Sequence, residues 1–180
     1  MKVTIKDVRL AFPDLFEARA FKGSGDPKFG ASFLFAKDHP AVKEIENAIE
    51  KVAKEKWKDK AATILKGLRT KNDTCLHDGD TKPEIDGYEG NFYISARSSV
   101  RPTVVDRDRT RLEKSDGRPY GGCYVNAIID IWAMDSSDFG KRVCASLMGV
   151  QFVRDGEAFA GGTAASPDEF EELEDEESLV

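Results

Sequence analysis

The chain has 180 residues, 40% of them hydrophobic and 33% charged, with 15 Gly and 7 Pro. That suffices for one globular domain with its own core and falls short of two. No apolar run is long enough for a bilayer-spanning helix, and the opening Met1-Lys2-Val3-Thr4-Ile5-Lys6-Asp7 carries charge where a leader would be apolar; the expectation is a cytoplasmic protein with no membrane partner. Cys75, Cys123 and Cys144 are odd in number and widely spaced, as reduced thiols are.

Charge is informative once divided along the chain. The formal net charge is −6, but residues 168–180 hold eight acids and no base, so residues 1–167 carry 27 bases against 25 acids. A mildly positive body with an acidic terminus is compatible with a nucleic-acid partner, which the overall acidity alone would argue against.

In chain order, Val3, Ile5, Val8, Leu10 and Phe12 alternate as in a strand that Pro13 should stop. A loop follows at Lys22-Gly23-Ser24-Gly25-Asp26-Pro27, and residues 28–36 read as a second strand. Asp38, ahead of Pro40, is the expected helix cap. Val42, Ile45, Ile49, Val52, Trp57, Ile64 and Leu65 then recur at helical spacing, with Gly67 near the end. Residues 72–90 are rich in turn residues and read as an irregular connection. Further strands are expected at Phe92–Arg97, Cys123–Ala133 and Arg142–Arg154, with a polar segment around Asp106–Arg111 between the first two. The order predicts a mainly β or α+β fold over residues 1–160, a small, highly curved sheet or barrel with one long helix. Residues 161–180 read as a disordered acidic tail.

Arginine is unevenly placed: eight of 11 lie after residue 84, whereas 14 of 16 lysines lie before it. Arginine forks onto phosphate and stacks on bases, so Arg97, Arg101, Arg107, Arg109 and Arg111 are candidate DNA contacts; a solvated surface loop is the plainer alternative. Alternation puts Phe92, Ile94 and Ala96 on one face of their strand and Tyr93, Ser95 and Arg97 on the other. In the next strand Tyr124, Asn126 and Trp132 look outward. Tyr93, Tyr124 and Trp132 are therefore candidate stacking rings for unpaired bases, with burial under the helix as the alternative for each.

Catalytic patterns are weak. His39 and His77 stand apart, and there is no phosphate loop and no G-x-G-x-x-G. Cys75-Leu76-His77-Asp78 lacks the paired C-x-x-C of a zinc site. Asp78, Asp80, Glu84 and Asp86 could hold a divalent cation for a nuclease or resolvase, but Asp-Gly-Asp is foremost a turn sequence. No cofactor, metal site or catalytic residue is expected.

With those residues set out, the chain resembles the family of single-stranded-DNA-binding proteins encoded by phages such as Enc34. The resemblance rests on Arg9-Leu10-Ala11-Phe12-Pro13-Asp14-Leu15-Phe16, Ala31-Ser32-Phe33-Leu34-Phe35-Ala36-Lys37, Arg101-Pro102-Thr103-Val104-Val105-Asp106, Tyr120-Gly121-Gly122-Cys123-Tyr124-Val125-Asn126 and Gly149-Val150-Gln151-Phe152-Val153-Arg154-Asp155-Gly156. It implies an OB-fold that binds single-stranded DNA with little sequence preference, serving phage replication or recombination in the host cytoplasm. The site residues above come from alternation, not from the resemblance. Phe170, Leu173, Leu179 and Val180 within the acidic run look like the tails with which single-strand binders recruit replication proteins and compete with DNA for the basic groove. Assembly into a homo-oligomer is compatible with all of this. A metal-dependent nuclease using Asp78, Asp80 and Asp86 is the alternative function.

Overall fold

The computed structural model describes residues 1–20, 25–159, 167 and 170–173. The strands are β1 (Lys2–Arg19), β2 (Lys28–Ala36), β3 (Leu76–Asp78), β4 (Asn91–Ser98), β5 (Thr103–Val105), β6 (Tyr124–Ser136) and β7 (Gly140–Arg154), and the helices are α1 (Pro40–Trp57) and α2 (Ala61–Thr70). They lie in the order β3-β4-β2-β1-β6-β7-β5, with β4 also pairing β7. That parallel contact, Arg97 to Ser146, joins β1, β2, β4, β7 and β6 into a closed five-stranded barrel. β3 extends β4, and β5 lies parallel to β7.

The core fills the barrel and the space beneath the helices. Ile5, Val8 and Leu10 of β1, Phe33 of β2, Ile94 of β4 and Val125, Ala127, Ile129 and Ile131 of β6 are fully buried, as are Ile45 and Ile49 of α1. On β6 the odd positions face in and the even ones out, as alternation predicts. Among the described residues no helix is long and apolar enough to cross a membrane.

Several local features differ from the sequence expectation. β1 does not stop at Pro13 but runs to Arg19. Pro13 sits where the β1–β2 register shifts, between Ala11↔Ser32 and Asp14↔Gly30, so its missing N–H interrupts no regular ladder. The helix cap is His39, not Asp38: its Nδ1 accepts from the Ala41 N–H at 2.9 Å. The single long helical stretch divides at residues 58–60, where Lys58 takes φ 51° and Trp57 Nε1 donates to Asp135 on β6 at 3.1 Å. Buried Trp57, Ala61, Leu65 and Leu68 keep helical spacing across that break, so periodicity does not reveal it. β3 and β5 are only three residues each, too short to stand out from turn-rich surroundings.

Candidate nucleic-acid interface

On the side of β2 and β4 away from the core lies an open recess of about 510 Å³. Strand register orders it in rows. At one end Leu34 of β2 stands beside Tyr93 of β4, and Tyr93 beside His77 of β3. The middle row pairs Ser32 with Ser95, whose hydroxyl oxygens are 2.9 Å apart. At the other end Gly30 lies between Asp14 of β1 and Arg97 of β4.

The first end is closed by aromatic packing. Tyr93 is 4% exposed, stacked on His77 at 5.0 Å and 29°, with the Tyr88 ring 4.7 Å away. Ala11, Leu34, Tyr88 and Tyr93 form a small apolar cluster separate from the main core, covered partly by Ile85 and Phe159. His77 Nδ1 lies 2.7 Å from Asn72 Oδ1, an acceptor, so the ring proton sits on Nδ1. Burial first, then the Lys82 and Arg142 charges, pushes the His77 pKa down, which favours the neutral ring. The other end opens onto exposed Arg19, Lys28 and Arg97, while Lys82 lies above the Tyr93 ring at 5.5 Å. A Cβ on Gly30 would stand 3.1 Å from the Ala96 carbonyl oxygen and 3.2 Å from Arg97 Cγ, so glycine leaves the room that the Arg97 stem occupies.

Sequence reasoning missed the most exposed ring of the recess. Phe12 continues the alternation of Val8 and Leu10, yet it is 63% exposed with φ 47°, its ring centroid 6.3 Å from that of Tyr88 at an interplanar angle of 63°. The cause is the register shift between Ala11 and Asp14, since one inserted residue turns the following side chains to the opposite face. Lys82 and Tyr88 were also missed, because they lie in the turn-rich stretch.

The other expected contacts are dispersed. Arg101 and Arg111 line a second, smaller cavity; Arg101 pairs with Glu113 at 3.2 Å and lies 5.8 Å from the Phe16 ring centroid. Arg107 Nη1 donates to the Val153 carbonyl. Arg109, at φ 71°, sits in a turn closed by the Thr110 and Asp106 carbonyls and is exposed. Arg111 is exposed beside its bridge to Val105. Neighbouring Asp106 holds Arg118 at 2.7 Å, and that hydrogen bond lowers the Asp106 pKa. Tyr124 is half-buried under the Arg154 guanidinium, 3.6 Å from its centroid. Trp132, 39% exposed, donates from Nε1 to Ser146 Oγ at 3.0 Å; Ser146 is the residue that pairs with Arg97 at the barrel seam. Phe170 and Leu173 are exposed, and Leu179 and Val180 lie outside the described residues.

Of the carboxylates considered for a nuclease, Asp78 and Asp80 are already engaged. Lys37 Nζ lies 3.2 Å from Asp78 and 2.5 Å from Asp80, whose other oxygen accepts from the Gly90 N–H at 2.7 Å. Asp86 is exposed. Among the described residues no group of three or more His, Cys, Asp or Glu could hold a metal ion. Burial pushes the Cys75 thiol up to about 12.

A family model described as the Enterobacter phage Enc34 ssDNA-binding protein matches residues 1–180. Protein p50 of Acyrthosiphon pisum secondary endosymbiont phage 1 is 46% identical over 186 residues, covering 100% of both chains. The solved single-stranded DNA-binding protein from bacteriophage Enc34 in complex with ssDNA matches with a TM-score of 0.73 at 29% identity, over 88% of this chain and 89% of that one. The single-stranded DNA-binding protein gp2.5 of bacteriophage T7, at 14% identity and TM-score 0.56 over 92% of this chain and 98% of its own, shares the fold.

Proposed function

The chain belongs to the family of the Enterobacter phage Enc34 ssDNA-binding protein, and from that premise we propose that it coats and protects single-stranded DNA without sequence specificity in phage replication or recombination. The observation that carries this reading is the recess on β2 and β4: the exposed Phe12 ring lines it, and Arg19, Lys28, Lys82 and Arg97 stand around it. Single-strand binders combine cations that track the phosphates with apolar rings that receive bases, and the outer face of these two strands is where OB-folds take oligonucleotides. Trp132 and the arginines of residues 101–111 would extend the contact beyond the recess.

A binder is favoured over a hydrolase because Lys37 already neutralises Asp78 and Asp80. The protein acts in the host cytoplasm. Its acidic residues 168–177 compete with DNA for the rim cations, while Phe170, Leu173, Leu179 and Val180 serve recruitment of replication proteins. The chain path supports the competition. Phe159 packs beside Tyr88 and Tyr93, and the nine steps from there to Asp168 can span at most about 30 Å.

Fluorescence anisotropy with labelled oligo-dT, duplex DNA and RNA in EDTA, with a parallel incubation in Mg²⁺ read on a gel, tests the reading. Tight, salt-sensitive binding to oligo-dT with the strand left intact is expected. Failure to bind oligo-dT at low salt overturns it, and Mg²⁺-dependent cleavage would restore the nuclease.

A further inference from the structure

Phe12 combines two properties that folding alone does not reward. Its φ of 47° is one that bulky L side chains seldom adopt, and the ring so displayed is 63% exposed. An aromatic ring held in strain and left in water gains little from the fold, and such outliers gather where a ligand completes the arrangement. The ring lines the recess, its centroid 6.3 Å from that of Tyr88 at an interplanar angle of 63°.

The recess beneath has room for a planar group. Its floor is made of small residues, Gly30, Ser32 and Ser95, which give it depth. The Ser32 and Ser95 hydroxyls bond each other at 2.9 Å, Ser32 also bonds the Tyr88 hydroxyl, and the capacity left on Ser95 suits a base edge. Tyr88 and Tyr93 close the far end and are too deeply buried to offer a stacking face of their own, at 3% and 4% exposure. The open end carries Lys28, Arg19 and Arg97. A volume of about 510 Å³ lies in the range of small-ligand sites.

We propose that this recess takes a single unpaired base out of the bound strand: its face lies on Phe12, its edge meets the Ser32 and Ser95 hydroxyls, and its flanking phosphates rest at the open end. This rests on the single-stranded-DNA reading above and adds to it one defined nucleotide site per protein, with Phe12 as the stacking residue. The hydroxyl pair gives that site a mild preference among bases, while the rest of the strand is held by charge.

The test measures affinity and thermal stability of Phe12→Gly and Phe12→Leu in the full chain. Glycine adopts positive φ freely, so Phe12→Gly is expected to leave Tm unchanged or higher while oligo-dT binding weakens roughly tenfold, the scale of one lost base–aromatic contact. Phe12→Leu keeps apolar bulk but no aromatic face, and should show the same loss. Neither penalty should appear on an abasic deoxyribose-phosphate strand of equal length, because no base is there to stack. Ser32→Ala with Ser95→Ala should change the ratio of oligo-dT to oligo-dA affinity several-fold. Wild-type affinity in Phe12→Leu, or an equal penalty on the abasic strand, overturns the proposal and leaves the broader reading standing. A wild-type chain that binds neither strand overturns both.

Discussion

Removing the cations at the rim of the recess should flatten the salt dependence of binding more than removing arginines from the 106–111 turn. The perturbation is Arg19→Ala, Lys28→Ala and Lys82→Ala together; all three side chains are exposed and line the recess. On a single strand each neutralised phosphate contributes roughly −0.7 to the slope of log K against log salt. Three lost contacts therefore reduce that slope by roughly 2. Between 50 and 200 mM salt, the variant should escape roughly 18-fold of the affinity loss that the wild type suffers. For Arg107, Arg109 and Arg111 the expected change is smaller. The Arg107 guanidinium already donates to the Val153 carbonyl, which leaves two side chains and a change of at most about 1.4. Anisotropy titrations with oligo-dT over a salt series read both slopes, and circular dichroism confirms that each triple variant is folded. An unchanged slope in the folded rim variant would refute the recess as the place where the strand's phosphates are neutralised. An unchanged slope in the loop variant would mean that the loop is a solvated surface only.

Trp132→Ala should weaken oligo-dT binding by roughly 1–3 kcal/mol with little change in Tm, since the ring is 39% exposed. Tyr93→Ala should instead cost stability, by roughly 3–5 kcal/mol if it behaves as other buried aromatic truncations do, read by urea denaturation. Deleting residues 168–180 removes eight acids and should tighten single-strand binding, most at low salt where screening is least; equal affinities at every salt concentration would refute competition by the tail. Among the three cysteines, partly exposed Cys144 should react first with a maleimide. Buried Cys75, with its pKa pushed up to about 12, holds a thiolate fraction on the order of 10⁻⁴ at pH 8 and should stay unmodified until the protein unfolds, which mass spectrometry of the labelled peptides would show.

The barrel was legible where one periodicity governs a whole strand. β6 needed no more than Val125, Ala127, Ile129 and Ile131 at every second position, and β4 likewise divides into Ile94 and Ala96 against Tyr93, Ser95 and Arg97. Alternation fails where the chain inserts a residue. Two of the three register shifts of β1 accompany a positive φ, at Asp7 (52°) and Phe12 (47°). The first leaves a trace, because Val3 and Ile5 are followed by Val8 and not by a residue at 7. The second leaves none, because Leu10 and Phe12 keep the apolar spacing while the backbone turns the ring outward. The closed end of the recess was hidden for another reason. Lys82, Ile85 and Tyr88 sit among Asp, Gly and Pro residues whose local signal is turn formation, and nothing local tells that Tyr88 is buried against Tyr93.

The arginine count and the geometry point to different places for the proposed interface, because a cation's role depends on what already neutralises it. The wealth of arginine beyond residue 84 suggested an interface there. Yet Arg118 is held by Asp106, Arg154 by Asp7 and the Tyr124 face, Arg101 by Glu113, Arg142 by Asp73 and Arg107 by a backbone carbonyl. Arg9, in one of the motifs that carry the family resemblance, spends its guanidinium on the Gly122 and Glu157 carbonyls and on the Phe159 ring at 4.2 Å. These residues tie the loop and the arm after β7 to the barrel. Each exchange of a protein contact for a phosphate would forfeit the first to gain the second, so they add less to binding than their number implies. The rim of the recess draws instead on Arg19, Lys28 and Lys82 from the lysine-rich first half of the chain, and of the later arginines only Arg97 lines it. Arg9 also holds the Phe159 ring, which packs beside Tyr88 and Tyr93. Under the competition proposed above, a basic residue of the family motif would act on DNA binding by placing the competitor.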